Sequence, residues 1–128
     1  MSKNMSETHP KILIADDESL LRTVAAEILS DSGFTVIEAH DGVEALEALQ
    51  NHSDIELLIS DVRMPRMNGY ALVDAGIALR PDLRVLLMTG YSREPLPHHL
   101  TERGVQMLYK PFDLDMLPAL VRQSLKPH

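Results

Sequence analysis

The chain has 128 residues, a length that suits one domain able to bury roughly two thirds of its unfolded surface without covalent staples. It contains no cysteine, which excludes a disulfide framework, a thiolate metal site and a cysteine nucleophile. Nineteen acidic against twelve basic side chains give a net charge of -7, which opposes direct binding to nucleic acid.

Residues 1–10 (MSKNMSETHP) are polar, lack the apolar centre of a secretion signal and read as a flexible tail. Residues 11–15 form a short apolar strand-like run, followed at once by Asp16 and Asp17. Leu20, Leu21, Val24, Ala25 and Ile28 then recur at helical spacing over residues 18–30, and Gly33 ends that helix. Residues 34–39 are rich in β-branched side chains and make a second strand, after which Asp41 with Glu44 forms a capping-box-like helix start. A third strand over 55–60 leads into Asp61, Asn68 caps a helix ending before Pro81, and a fourth strand over 83–88 leads into Thr89. Pro95 and Pro97 fall where the fourth helix should begin, so a short helix is predicted from near Pro97 to Gly104. Residues 105–109 make the fifth strand before Lys110, and Asp113 caps a last helix carrying Leu114, Leu117, Val121 and Leu125. Pro118 would sit at about the fifth position of that helix with its ring against the Leu114 carbonyl, which predicts a bend or a strained first turn.

Nearly continuous apolar strands alternating with helical patterns imply a doubly wound α/β domain with a parallel sheet covered on both faces. No linker divides it, so residues 11–126 are expected to be one domain with no output domain attached. No apolar run reaches the roughly 20 residues of a membrane span, and a cytoplasmic protein without membrane contact is expected. If the strands are parallel, their carboxyl ends bring Asp16, Asp17, Asp61, Thr89 and Lys110 to one crevice. Three clustered carboxylates repel one another unless a divalent cation joins them, and Mg²⁺ favours such an all-oxygen ligand set. Lys110 adds a point charge and Thr89 a hydroxyl for phosphoryl oxygens. Taken singly, each residue also fits a helix-entry turn, a strand end or a solvated loop; it is their coincidence at four strand ends that points to phosphoryl chemistry.

The segments Ala15-Asp16-Asp17-Glu18, Asp61 through Pro65 with Met67-Asn68-Gly69, Met88-Thr89-Gly90 and Tyr109-Lys110-Pro111-Phe112 resemble those of the receiver domain of bacterial two-component response regulators, the chemotaxis Y protein type. The resemblance spans residues 11–125. It implies a flavodoxin-like three-layer fold with strand order 2-1-3-4-5. It also implies that Asp61 accepts a phosphoryl group from a histidine kinase or a histidine phosphotransfer protein, with only self-dephosphorylation as enzymatic activity. By the same resemblance Asp17 and Asp61 are direct Mg²⁺ (or Mn²⁺) ligands, Asp16 holds the metal through water, and the Arg63 backbone carbonyl is a further ligand. Thr89 and Lys110 contact the phosphoryl oxygens, and the surface of the fourth helix, fifth strand and fifth helix rearranges to signal to a downstream protein or a second copy of the chain.

Departures from the family's pattern concern output. Met107 stands three residues before Lys110, where the family commonly places Tyr or Phe, so the usual coupling of threonine to an aromatic ring is in doubt. Tyr91 is a candidate substitute, and Arg63 with Tyr91 is expected to set the lifetime of the aspartyl phosphate. The six histidines, His9, His40, His52, His98, His99 and His128, show no ligand spacing, and no glycine-rich nucleotide cradle is present. Two other readings remain: a haloacid-dehalogenase-like phosphatase, which needs an aspartate where Arg63 stands, and a pseudo-receiver that never carries phosphate.

Overall fold

The computed structural model describes residues 9–90 and 94–126. Its elements are β1 (Lys11–Ala15), α1 (Ser19–Asp31), β2 (Thr35–Ala39), α2 (Gly42–Asn51), β3 (Ile55–Asp61), α3 (Gly69–Leu79), β4 (Arg84–Thr89), α4 (His98–Glu102), β5 (Gln106–Tyr109), a 3-10 turn (Leu114–Met116) and α5 (Leu117–Leu125). The five strands form one parallel sheet in the order β2-β1-β3-β4-β5, which is the 2-1-3-4-5 order that the sequence resemblance implies.

Successive strand residues point to opposite faces. On one face Leu13, Leu58, Val85 and Leu87 pack with Ala45 and Leu49 of α2 and Leu72 and Val73 of α3. On the other, Ile12, Ile14, Leu57, Ile59, Leu86 and Met88 pack with Ala25 and Leu29 of α1 and Leu117 and Val121 of α5. Both faces are covered by helices, so the strands read as continuous apolar runs rather than as alternating ones.

Helix ends follow local chemistry. At the end of α1 the Gly33 N–H donates to Ser30 O (3.1 Å) and the Phe34 N–H to Leu29 O (3.2 Å), a Schellman closure that needs the positive φ of 99° at Gly33. The same closure ends α4, with Gly104 donating to Thr101 O and Val105 to Leu100 O, so the short helix after Pro97 stops at Gly104 as expected. Asp41 accepts from the Glu44 N–H (2.8 Å) and Asn68 from the Ala71 N–H (2.9 Å), the two caps read from sequence. Glu44 reaches back to the His40 N–H at 2.7 Å, one residue before the cap.

The last helix departs from expectation. Asp113 accepts from the Asp115 N–H (2.9 Å) and opens a 3-10 turn instead of the helix itself. The α-helix starts only at Leu117, so Pro118 stands in its first turn, where no helical hydrogen bond is lost for want of an N–H.

Residues 1–8, Tyr91 and His128 lie outside the described residues, and with them the expectations for most of the tail and for Tyr91. Before β1, Pro10 O accepts from the Thr35 N–H at 3.0 Å. Among the described residues no helix is long and apolar enough to cross a membrane.

Candidate functional site

Strand register decides which polar residues meet. Ala39, Ala15, Ser60, Leu87 and Met107 form one row across the sheet. One step further toward the carboxyl edge, Asp16 and Asp61 follow Ala15 and Ser60 on neighbouring strands, and both side chains are buried. Thr89, fully buried, ends β4 opposite Tyr109, and the Lys110 N–H continues that ladder to Thr89 O at 2.7 Å. Lys110 is thereby carried to the centre of the edge.

The loop after Asp61 is held closely. Gly69 donates to Val62 O at 2.8 Å, and a Cβ on Gly69 would meet the Asp61 carbonyl and stand 2.9 Å from Val62 Cα. Only glycine fits that approach. The loop is tied to the start of α2 by Arg66, whose φ is 68° and whose Nε lies 2.8 Å from Asp41 Oδ2.

Lys110 Nζ stands 3.0 Å from Asp61 Oδ2, 3.3 Å from Glu18 Oε1 and 3.7 Å from Asp16 Oδ2. One cation thus serves three carboxylates. Burial acts to lower the Lys110 pKa, but the hydrogen bond to Asp61 and the charges of Asp16 and Asp61 outweigh it and hold the ammonium above its ordinary range. Asp16 goes the other way. Burial pushes its carboxyl up to about 6, against the Glu18 N–H bond to Oδ1 (2.9 Å) and the charge of Lys110. Its other oxygen, Oδ2, is buried without a hydrogen-bond partner. An oxygen in that position is suited to a cation or to a water that a cation holds.

Carboxylate oxygens of Asp16, Glu18 and Asp61 lie within 4.8 Å of one another, a spacing that fits one divalent ion. Asp17 is not in this group. It is exposed and lines a neighbouring cleft of 440 Å³ with Val62, Arg63, Met64, Asn68, Tyr70 and Glu94. Of the residues that the sequence nominates, Asp16, Asp61 and Lys110 are in direct contact, Asp17 and Arg63 flank them in the cleft wall, and Thr89 lies one position further along the edge. Arg63 donates its N–H to Asp61 Oδ1 at 3.3 Å, while its guanidinium turns away. Met107 is half-buried and packs on the α2–α3 core.

The guanidinium of Arg63 turns to Glu94, which sequence reasoning missed. Glu94 Oε1 lies 3.1 Å from Arg63 and accepts from Thr89 Oγ1 at 3.2 Å, while Oε2 accepts from the Tyr70 hydroxyl at 2.7 Å. Its main-chain carbonyl accepts from the Tyr109 hydroxyl at 3.0 Å. Burial alone would raise the Glu94 carboxyl pKa, but the hydrogen bonds from Tyr70 and Thr89 and the Arg63 charge outweigh it and hold the pKa low. Burial and the Glu94 charge together push the Tyr70 phenol well above its usual range. Nothing in the spacing of a single glutamate before Pro95 announces these partners, which lie up to 31 residues away. Glu18 was visible as part of an acidic run, but its reach to Lys110 was not.

The model of the response regulator receiver domain family matches residues 12–122. The chain is 32% identical over 117 residues to the sensor kinase CckA of Brucella abortus, covering 90% of this chain and 12% of that protein. It is 36% identical over 115 residues to the transcriptional regulatory protein PdtaR of Mycobacterium tuberculosis, covering 86% of this chain and 54% of that protein. The chain therefore spans between about an eighth and about half of these relatives. Among solved structures, the receiver domain from the hybrid histidine kinase CckA superposes with a TM-score of 0.76 at 38% identity, covering 91% of this chain and 99% of that one.

Proposed function

Because the chain belongs to the response regulator receiver domain family, we propose that it is a phosphorylation switch in which Asp61 takes a phosphoryl group from the phosphohistidine of a histidine kinase or phosphotransfer protein. The observation that carries this reading is Lys110 Nζ at 3.0 Å from Asp61 Oδ2, beside the Asp16 oxygen that has no hydrogen-bond partner. An Asp61 oxygen attacks phosphorus in line, the O–P bond forms, and the P–N bond breaks with its electron pair returning to the imidazole nitrogen. Lys110 is anchored where it can meet a phosphoryl oxygen, at the cost of loosening its contact to Glu18. Thr89 offers its hydroxyl to another oxygen once it is released from Glu94.

A divalent ion, Mg²⁺ or Mn²⁺, would supply neutralisation of the carboxylates and of the phosphoryl oxygens. Asp16, Asp61, Asp17 and the Arg63 carbonyl are the proposed ligands, and the clustering of Glu18 with the first two adds it to the candidates. Arg63, together with Tyr91, is proposed to set the phosphate lifetime from the cleft wall. Output would pass through the surface of α4, β5 and α5 to a partner protein or to a second copy of the chain, with no direct nucleic-acid contact, in the cytoplasm.

Incubation with Mg²⁺ and acetyl phosphate, followed by intact mass, tests the reading. One labile phosphate, absent in Asp61→Asn, is expected. Turnover of the phosphodonor without an adduct would point to a phosphatase, and no adduct and no turnover would point to an interaction module. Small polar replacements at Arg63 and Tyr91 should change the half-life of the adduct, and unchanged half-lives would sink their assigned role.

A further inference from the structure

Met107 leaves the usual aromatic link between threonine and output surface unfilled, yet the structure contains another connection. Glu94 touches four separate parts of the edge: Arg63 two residues after Asp61, Tyr70 on α3, Thr89 at the end of β4 and Tyr109 at the end of β5. Its side chain is only 11% exposed. Resting on the reading of Asp61 as acceptor, we propose that Glu94 is a positioning residue that holds the Thr89 hydroxyl in the resting state and relays its departure to Tyr109.

A threonine hydroxyl has one hydrogen to donate. In the resting chain it goes to Glu94 Oε1, and a phosphoryl oxygen on Asp61 would need the same hydrogen. The two acceptors compete for one donor, so every phosphorylation event must break the Thr89 to Glu94 bond. Glu94 then keeps Arg63 and Tyr70 on its carboxylate but loses the contact that fixes it against β4. Its own carbonyl carries the Tyr109 hydroxyl, and Tyr109 is 41% exposed on the edge strand β5. A shift of Glu94 therefore moves a surface aromatic without any ring having to swing through position 107.

The linkage also predicts restraint, since holding Thr89 on Glu94 stabilises the resting arrangement against the phosphorylated one.

Two measurements on the full chain test this. In the first, initial rates of adduct formation with Mg²⁺ and acetyl phosphate are followed by intact mass. Glu94→Ala should be three- to tenfold faster than wild type, and Glu94→Gln, which keeps an acceptor oxygen of the same reach, should fall between them. In a Thr89→Val background the Glu94→Ala acceleration should vanish. A merely structural role for Glu94 would instead slow phosphorylation or give equal effects in both backgrounds, and either result overturns the proposal. The second measurement needs no phosphate. Thr89→Val should shift the Tyr109 ring resonances in the wild-type chain, shift them less when Glu94 is Gln, and leave them unmoved when Glu94 is already Ala. If Tyr109 does not respond to Thr89→Val, the relay is wrong even where phosphorylation occurs. A chain that accepts no phosphate but passes this second test loses the acceptor reading and keeps the linkage.

Discussion

The two halves of the carboxyl edge carry similar residues in opposite states. Around Asp61, one lysine is shared by three carboxylates, Asp16 has an oxygen with no hydrogen-bond partner, and its carboxyl is pushed up to about 6. Around Glu94, the carboxylate receives a guanidinium and two hydroxyls and its pKa is held low. Buried polar groups that lack partners cost free energy until a ligand supplies them, whereas satisfied ones resist rearrangement. The first half has an oxygen that a ligand could satisfy. The second already has its partners.

The sharpest way to break the contrast is to remove the nucleophile. Asp61→Asn should abolish adduct formation with acetyl phosphate, a loss of at least about a hundredfold as read by intact mass, because an amide cannot attack phosphorus. Any stable adduct in that variant would move the acceptor elsewhere and dissolve the distinction between the two halves.

Asp16 comes next. A carboxyl whose pKa rises from 3.8 to about 6 on folding binds more protons in the folded state, so its contribution is present below pH 3.8 and is lost as pH rises through 6. At the corresponding linkage value the loss is about 3 kcal/mol, an order-of-magnitude figure for metal-free protein. Asp16→Asn escapes it. In chelator at pH 8 its Tm should exceed that of wild type by roughly 10 °C, while at pH 4 the two should nearly coincide. Added Mg²⁺ should stabilise wild type and close the gap. Equal melting temperatures at pH 8 would mean that the Asp16 pocket is not under strain.

The contrast between the halves also marks how far sequence reasoning reaches. Asp16, Asp61, Thr89 and Lys110 were legible because each sits at the end of an apolar strand, and parallel pairing turns a position along the chain into a position on an edge. Glu94 was not, since its partners come from the loop after β3, from α3, β4 and β5 through loop conformation and rotamers, which no periodicity encodes. Asp17 reads from sequence with Asp16 as one acidic pair, and the fold sets the two on different walls: the carboxylates of Asp16 and Glu18 cluster with Asp61, while Asp17 lines the neighbouring cleft. Pro118 gave the right place and the wrong shape. The sequence pattern could register an obstacle to a helix but not that a 3-10 turn would absorb it.

Lys110→Ala should slow phosphorylation about tenfold, the equivalent of roughly 1.4 kcal/mol for a lost phosphoryl contact. It should also tighten divalent-cation binding, because a competing positive charge leaves the carboxylate cluster. Calorimetric titration with Mg²⁺ checks the second effect. Weaker binding would mean that Lys110 organises the carboxylates rather than competing for them.

Tyr70→Phe makes the smallest intervention, and it probes the satisfied half. It deletes one hydroxyl donor, 2.7 Å from Glu94 Oε2, and leaves the ring in place. Loss of that bond should cost about 1 kcal/mol in chemical denaturation at pH 7, since a hydrogen bond to a charged acceptor is worth somewhat more than a neutral one but the cleft admits water to replace it. Phosphorylation should then run two- to threefold faster, because a less firmly held Glu94 holds Thr89 less firmly. The phenol supplies a separate check. With its pKa raised above 10.0 in the folded chain, Tyr70 contributes stability that is complete below pH 10 and lost as pH rises above it. Wild type should therefore lose stability more steeply than Tyr70→Phe in strongly alkaline solution, and tyrosinate absorbance should lack its latest-titrating step in the variant. If the alkaline slopes match and phosphorylation is unchanged, the Tyr70 hydroxyl does not help to hold Glu94, and the satisfied half is smaller than its hydrogen bonds suggest.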